Sequence, residues 1–342
     1  MTTGTVRIQR APDGVRIIAP DGAPSVLDAT AGIDVAVLEV RGGHLSWTVL
    51  ADSAVPAAVI DDVDSAQNWV WAVFGEEVAL ALAAGSGNDV TAGPARPRIA
   101  AAARRLAFAQ WATRWWPAST VDAIPALDAG LLNREIGTLA EDCDLLVDGD
   151  DALAPAGLPV SGLPGRADDY ALAAGAATAA VPSRLVLARG AGGTDWRRYP
   201  PGLVDASERA VFWEVARAAG TTSVRVSIVA APSLSAVPDH LRPWATVGTA
   251  AGTVDVALQL SGDAWFGESA APRGSEAGVS VGVYVPGFGV DGSSDGAGPE
   301  ARQRVRNLVR QRLRRAAETT PDDGPDAPLL AEIDAAASDP DF

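Results

Sequence analysis

The sequence contains no lysine: all 27 of its cationic side chains are arginine. A Walker P-loop, a pyridoxal-phosphate Schiff base and the strand lysine of protein kinases each require a lysine amine, so these enzyme classes are excluded. Histidine occurs only as His44 and His240, and the single cysteine is Cys143. One such chain cannot build a zinc finger, a three-histidine zinc site or an internal disulfide. We therefore expect no cofactor and no bound metal ion.

Export and membrane signals are also missing from the sequence. Residues 1–10 lack the positive start and apolar stretch of a secretory signal. No apolar run approaches the ~20 residues that a membrane-spanning helix needs. These absences predict a soluble cytoplasmic chain. Its formal charge of −16 repels phosphate backbones and anionic lipid heads, which argues against nucleic acid as a partner.

The chain of 342 residues has room for two or three domains, and its pattern divides into four regions. The first, residues 1–63, is predicted to be a small β-rich module. Residues 5–10 and 15–19 alternate around the turn signal Ala11-Pro12-Asp13-Gly14, which is typical of a hairpin. Valine-rich runs predict further strands at 34–40, 47–51 and 57–61.

The second region, residues 64–182, is predicted to be helical. Apolar residues recur at helical spacing from the start of this region: Trp69, Val73, Val78 and Leu82. Asp64 or Ser65 is placed to cap this first helix. Proline, glycine and acidic residues at 148–165 indicate a surface connection and a domain boundary. Further helices are expected at 99–116, 125–147 and 168–180.

The third region, residues 183–297, returns to short strands separated by turn signals, without amphipathic helices between them. This pattern favours an antiparallel β-sandwich over a doubly wound sheet. The fourth region, 298–342, joins an amphipathic arginine-rich helix to an acidic tail. The sequence thus predicts an α+β fold, with the strands of the third region at 184–188, 210–218, 223–231, 245–250, 253–260 and 279–285.

Two motif-like patterns fall in one glycine-rich run. Residues 292–296 fit the G-x-S-x-G of a nucleophile elbow, but both histidines precede Ser294, against the order found in α/β-hydrolases. The same run resembles a calcium loop, yet its twelfth position is Arg302 instead of a bidentate glutamate. A flexible linker accounts for both patterns.

A cluster of acids offers the one enzymatic alternative. Asp61, Asp62 and Asp64 precede the first predicted helix, and His44 lies in a predicted loop before them. Clustered carboxylates can hold a divalent cation, and histidine can act as a general base, so a metal-dependent hydrolase or phosphate-processing enzyme stays open. The same carboxylates are common helix caps. Cys143 lies between Asp142 and Asp144, which raise a thiol pKa and predict an unreactive side chain.

Tryptophan is abundant where aromatics are few: 10 of the 19 aromatic residues are Trp. Trp111, Trp115 and Trp116 crowd one helix end around Arg114. Trp116 points about 100° away from the other two, so one core surface cannot easily bury all three. Since Trp and Arg dominate interface hot spots, these four residues are candidate interaction residues.

The predicted helix at 299–319 carries seven arginines against two glutamates in an otherwise acidic chain. Its arginines can contact the protein's own acidic surface, an acidic partner or phosphate. In the tail that follows, Leu329, Leu330 and Ile333 are expected to share one helical face. We expect this segment to dock through that face, on its own chain or on a partner.

These features favour a non-catalytic cytoplasmic adaptor or scaffold that acts through protein contacts in a larger assembly. The first alternative is the metal-dependent enzyme described above. The second is a small-ligand or glycan binder that uses aromatic residues of the β-sandwich, Trp244, Trp265 and Phe266.

Overall fold

The structure is a computed structural model that describes residues 3–24, 27, 32–51, 55–85, 89–147, 184–232, 234, 237–289, 298–318 and 324–338. It has the α+β fold that the sequence predicts, with open antiparallel sheets and a C-terminal helix. The chain forms two compact units. Unit 1 consists of Met1–Trp116, Leu127–Ala156 and Glu300–Phe342, and unit 2 of Pro117–Ala126 and Gly157–Pro299. The division into four regions stays a prediction from sequence pattern.

Unit 1 contains a six-stranded antiparallel sheet with the order β3-β4-β5-β2-β1-β6. The predicted hairpin is present, with Arg10 opposite Arg16 and Gly14 in the turn at a φ of 95°. The strand β6 lies inside the region expected to be helical and pairs with β1. The strands are β1 (Gly4–Arg10), β2 (Arg16–Ala19), β3 (Val35–Val40), β4 (Gly43–Thr48), β5 (Ala57–Ile60) and β6 (Asp89–Ala92).

His44 belongs to strand β4, opposite Glu39, and the prediction that it lies in a loop is wrong. The turn before it is shorter than expected, because Gly42 adopts a φ of 70°. Gly43 already pairs within the sheet, where a Cβ atom would collide with the carbonyl oxygen of Val59. Gly42 and Gly43 therefore allow a short turn, so that strand β4 begins at Gly43 and includes His44.

Six helices lie in the part of unit 1 that the structure describes. Asp62 caps α1 by accepting hydrogen bonds from the amides of Asp64 and Ser65, so the expected cap at Asp64 or Ser65 is wrong by two or three residues. Gly75, at a φ of 94°, separates α1 from α2. The helices are α1 (Val63–Phe74), α2 (Glu76–Ala84), α3 (Pro97–Trp115), α4 (Ala129–Asp142), α5 (Pro299–Glu318) and α6 (Leu330–Ser338).

The core of unit 1 includes the packing of α3 on β3 and of α1 on α3, and two tryptophans anchor it. Trp69 is fully buried and donates its indole N–H to the carbonyl oxygen of Arg41 at 2.7 Å. Trp111 is buried on α3 and donates to the carbonyl oxygen of Ile33 at 2.7 Å. Each large apolar ring is thus buried with its one polar atom satisfied.

Unit 2 contains two antiparallel sheets, with the orders β12-β13-β9-β8-β7 and β11-β10-β14. The chain between Gly252 and Ser261 runs from the smaller sheet into the larger one. The strands are β7 (Leu185–Gly192), β8 (Val211–Ala218), β9 (Thr221–Val229), β10 (Trp244–Thr249), β11 (Gly252–Ala257), β12 (Gln259–Ser261), β13 (Ala264–Ala270) and β14 (Ser280–Tyr284).

The segment Pro117–Ala126 is fixed to unit 2 by the buried carboxylate of Asp205. This carboxylate accepts hydrogen bonds from the Ser119 hydroxyl at 2.7 Å and from the amide and hydroxyl of Thr120 at 2.7 and 3.0 Å. The amides of Val121 and Ser207 also donate to it. One side chain therefore joins two stretches that are distant in sequence.

Candidate functional site

Of the three acids proposed for metal binding, Asp62 caps the start of α1. The Asp62 carboxylate accepts from the Ser65 hydroxyl at 2.7 Å as well as from two backbone amides. The hydrogen bond from the Ser65 hydroxyl is the main cause that holds the pKa of Asp62 below its ordinary value. Within the described part of the chain, no group of three or more His, Cys, Asp or Glu residues could hold a metal ion.

The other sequence-predicted chemical groups are scattered. His240 is exposed in a short 3₁₀ turn, Asp239–Leu241. Cys143 is buried, and its burial, followed by the charges of Asp142 and Asp144, raises the pKa of the thiol to about 12. The predicted helix at 168–180, the connection at 148–165 and the motifs at 291–296 lie outside the described residues.

The tryptophan cluster on α3 is divided by burial. Trp111 is buried and stacks on Phe108 with ring centroids 5.1 Å apart, so it belongs to the core of unit 1. Trp115 and Trp116 are half-buried, and the Arg114 guanidinium lies 4.7 Å from the ring centroid of Trp115. A role for Arg114, Trp115 and Trp116 in partner binding stays a prediction.

The tail segment packs inside unit 1, where α6 contacts α4. Leu329 is fully buried and Ile333 is half-buried, but Leu330 is 52 % exposed. The expectation of one shared buried face is therefore wrong for Leu330. Helix α6 begins at Leu330, so Leu329 precedes its first turn and is not placed by helical spacing.

Of the aromatic residues proposed for glycan binding, Trp265 and Phe266 lie on opposite faces of one sheet. Trp265 is buried and donates to the carbonyl oxygen of Leu203 at 3.0 Å. Phe266 follows it in β13 and points to the opposite face of the sheet, where it is 43 % exposed. Trp244 lies in β10 of the smaller sheet.

The structure instead pairs Phe266 with another exposed phenylalanine. In the five-stranded sheet, Phe212 of β8 and Phe266 of β13 both lie directly opposite Ser227 of β9. Directly opposed residues share a face, so the two rings stand on one face with a small hydroxyl side chain between them. Phe212 is 48 % exposed. We call this surface the phenylalanine face, defined by Phe212, Ser227, Phe266 and the neighbouring charged row Arg189, Glu214, Arg225 and Glu268.

The charged row alternates in sign across four strands. Glu268 accepts hydrogen bonds from Arg225 at 3.0 Å and from the Ser223 hydroxyl at 2.7 Å, and Arg184 lies 3.2 Å from its carboxylate. Burial raises the pKa of Glu268, but these hydrogen bonds and the charges of Arg184 and Arg225 outweigh it, so the pKa lies below its ordinary value. The row places charged side chains of both signs beside the two rings.

The spacing of aromatic and charged residues in β8 and β13 is a sequence pattern that indicates this face. In β8, Phe212 and Glu214 are two positions apart and lie on the same face of the strand, while Val211 and Val215 lie on the other face and are buried. This pattern marks Phe212 as a residue of the solvent face. In β13, Phe266 likewise shares a face with Glu268. In a predicted strand, an aromatic residue two positions from a charged residue therefore indicates an exposed aromatic side chain.

Comparison with protein-family models, with curated proteins and with solved structures gives no match for this chain. No helix among the residues that the structure describes is long and apolar enough to cross a lipid bilayer.

Proposed function

We propose that this protein is a non-catalytic cytoplasmic adaptor or scaffold that binds a partner protein through the phenylalanine face. The observation that carries the proposal is the placement of Phe212 and Phe266, both more than two-fifths exposed, in one row of the five-stranded sheet. Neighbouring strands lie about 4.8 Å apart, so the two rings stand about 10 Å from each other. That spacing suits one apolar side chain of a partner, seated above Ser227.

The energetics favour covering this surface. Fully burying a phenylalanine stabilises by roughly 1.5–3 kcal/mol, and about half of that gain remains available for each ring. The charged row beside the rings would select the orientation of a partner more than add affinity. An apolar centre with a charged border is the usual anatomy of a protein interface.

The partner that fits best is a different protein, with an apolar patch bordered by charges of both signs. A second copy of this chain carries the same formal charge of −16, and the mutual repulsion of two such bodies opposes self-association.

The test replaces both rings and follows the partner. Full-length protein is purified from its native cells as wild type, as the double variant Phe212→Ser and Phe266→Ser, and as the control Leu80→Ser. Leu80 is 64 % exposed on α2 in unit 1, so the control makes the same chemical change elsewhere.

We expect one companion protein to co-purify with the wild type and the control, and to bind the double variant at least about tenfold more weakly when both partners are purified. Equal binding to all three proteins would refute the proposal. A carbohydrate bound by the wild type but not by the double variant would assign the face to a glycan instead, and a homodimer broken by the double variant would assign it to self-association.

A further inference from the structure

Strand β7 lies at one edge of the five-stranded sheet and pairs with β8 alone among the strands that the structure describes. It is eight residues long, whereas β12 at the opposite edge has three. Natural proteins commonly protect a long edge strand with lysine or proline, because unpaired backbone groups accept another strand. Strand β7 contains neither residue type, and its side chains Leu185 and Val186 are 61 % and 46 % exposed. Its outer edge is therefore open to a further strand.

The hydrogen bonds of the neighbouring strands show which backbone groups of β7 point outward. The amide of Val229 donates to the carbonyl oxygen of Ala210 at 2.9 Å, so these two residues form a hydrogen-bonded pair between β8 and β9. Along antiparallel strands such pairs alternate with pairs that make no hydrogen bond to each other. Phe212 and Glu214 therefore direct their backbone groups to β9, and Trp213 between them directs its own to β7.

The same alternation continues in β7. Gly190 lies opposite Trp213 and bonds to β8, so Arg189 and Ala191 on either side of it direct their N–H and C=O groups away from the sheet. Both residues are exposed, and no described residue is bonded to these outward groups. A bulge interrupts the register between Val186 and Ala188, which leaves residues 188–192 as the regular part of the open edge.

The charged row of the phenylalanine face ends at this edge with an unpaired cation. Arg189 lies directly opposite Glu214, but the Glu214 carboxylate pairs with Arg184 at 3.3 Å. Arg225 pairs with Glu268 at 3.0 Å, whereas Arg189 has no ion pair among the described residues. Since opposite charges on adjacent strands stabilise a sheet, an acidic residue on an added strand would pair with Arg189 and continue the alternation of sign.

The row of the two phenylalanines ends at the same edge with a small residue. Ala191 lies directly opposite Phe212 on one side, as Ser227 does on the other. Small and large side chains thus alternate in the order Ala191, Phe212, Ser227, Phe266. A large apolar residue opposite Ala191 on an added strand would stand about 10 Å from Phe212 and continue this alternation.

We propose that the outer edge of β7 binds an extended segment of the partner protein as an added antiparallel strand, with an acidic residue opposite Arg189 and a large apolar residue opposite Ala191. This proposal rests on the proposed function, because it names the part of the partner that binds beside the phenylalanine face. Backbone hydrogen bonds supply affinity in such a mode, and the two side-chain positions supply specificity. A second copy of this chain fits less well, since it carries the same formal charge of −16.

The probe for this edge is a labelled peptide that copies residues 209–217. This stretch already satisfies both positions on the inner side of β7, because it places Phe212 opposite Ala191 and Glu214 opposite Arg189. Fluorescence anisotropy measures its binding to the full-length protein, and we expect that binding to saturate. A second peptide with lysine in place of the copied glutamate should bind about fivefold more weakly, because it loses the attraction of Arg189 and is repelled by it.

A charge reversal in the protein assigns the binding to β7. The variant Arg189→Glu should reverse the preference and bind the lysine peptide more tightly than the glutamate peptide. Arg10→Glu is the control, because Arg10 is also an exposed strand residue but lies in β1 of unit 1. This control should bind both peptides as the wild type does.

Methylation of single peptide amides tests for strand addition itself. On the outer edge of β7, the residue opposite Arg189 donates its amide to the strand, so N-methylation at the copied glutamate should weaken binding at least about tenfold. The amide of the copied tryptophan points away, and its methylation should change affinity by no more than about twofold. A peptide that displaced β8 would need both amides.

The proposal is overturned if the peptide does not bind saturably, if Arg189→Glu keeps the wild-type preference, or if the two methylated peptides bind equally. A homodimer that the peptide dissociates would assign the edge to a second copy and overturn the partner segment. The proposed function fails separately: it fails if Phe212→Ser and Phe266→Ser leave the companion protein bound, whatever the peptides do.

Discussion

At the scale of the residue, burial determines the chemistry of polar side chains in this protein. Cys143 and Asp205 are both fully buried, but their surroundings differ. The thiol of Cys143 lies among apolar atoms beside two acidic neighbours, whereas the carboxylate of Asp205 is surrounded by donors. The Cys143 thiol is therefore unreactive, and the Asp205 carboxylate holds two segments together.

Cys143 should not react with a thiol reagent in the folded protein. Only the thiolate is nucleophilic, and with a pKa of about 12 the thiol stays protonated at neutral pH. We expect no reaction with a chromogenic disulfide over hours at about pH 7.5, and release of one equivalent of chromophore after denaturation in urea. Prompt reaction of the native protein would contradict the burial.

Asp205→Asn should destabilise unit 2 by about 2–3 kcal/mol, because an amide nitrogen would face the hydrogen-bond donors of Ser119, Thr120 and Ser207. Urea denaturation followed by tryptophan fluorescence measures the change in free energy of unfolding. Asp255→Asn is the control, since Asp255 is exposed and accepts from Thr246 alone at 2.8 Å; its effect should stay within about 0.5 kcal/mol. Equal effects of the two variants would show that the hydrogen bonds of Asp205 add no more to the free energy of unfolding than one exposed hydrogen bond does.

At the scale of the element, α6 is held in unit 1 by a buried ion pair. Glu332 is fully buried and accepts from Nε and Nη2 of Arg312 at 2.6 and 2.7 Å and from the amide of Leu329 at 2.7 Å. Glu135 of α4 accepts from the amide of Leu330 at 2.7 Å. The guanidinium of Arg312 also lies 4.0 Å from the ring centroid of Phe108. The start of α6 is therefore tied to three other helices.

Glu332→Gln should destabilise the protein by about 3 kcal/mol, because removing one member of a buried pair leaves the other charge uncompensated. Asp334→Asn changes an exposed residue of the same helix and should have little effect. Thermal unfolding of both variants measures the difference, and hydrogen exchange at the amides of α6 should be faster in Glu332→Gln alone. Equal melting temperatures would mean that the pair does not hold the helix.

Elements with strong local patterns could be predicted from the sequence. The hairpin of β1 and β2 follows from its turn residues, and the helix expected at 299–319 is present as α5 over the described residues Pro299–Glu318. Strand β13 was missed, because Gly267 breaks its pattern; the structure needs a glycine there, since a Cβ atom would collide with the carbonyl oxygen of Ala257. Strand β6 was missed because it is short and depends on pairing with β1.

The candidate sites were less predictable than the elements. The alternation in β8 and β13 shows which face each phenylalanine is on, but only the register with β9 brings Phe212 and Phe266 into one row. A cavity of unit 1 is lined by Trp47, Arg105 and Arg312, which are too far apart in sequence for any local pattern to connect them. Such contacts depend on tertiary packing, which a single sequence does not display.

At the scale of the whole molecule, the formal charge of −16 controls stability and association. Like charges repel within the compact state, and salt screens this repulsion. Burial also raises the pKa values of Glu135 and Asp205. In the window between the ordinary and the raised pKa, the folded state binds more protons than the unfolded state, so stability falls as pH rises.

The melting temperature should therefore fall as the pH rises from the ordinary carboxyl pKa of about 4 through the raised pKa values of Glu135 and Asp205, and added salt should reduce the part of this fall that comes from net charge. At lower pH the trend should reverse, because the lowered pKa values of Asp62 and Glu268 make their ionised forms stabilising until they are protonated. Calorimetric scans across this range measure the effect. A melting temperature that rises steadily with pH would contradict it.

The order of chain synthesis gives the discontinuous unit 1 a further consequence. A ribosome adds roughly 5–20 residues per second, and about 180 residues separate Trp116 from Glu300, where the last part of unit 1 begins with most of α5. For roughly 10–40 seconds the nascent sheet and α3 exist without α5 and α6, and the Phe108 and Trp47 side chains lack the wall that later faces them. The sheet and α3 therefore cannot complete their packing until the last part of unit 1 has been made, and during translation their uncovered apolar side chains are open to chaperones and to aggregation.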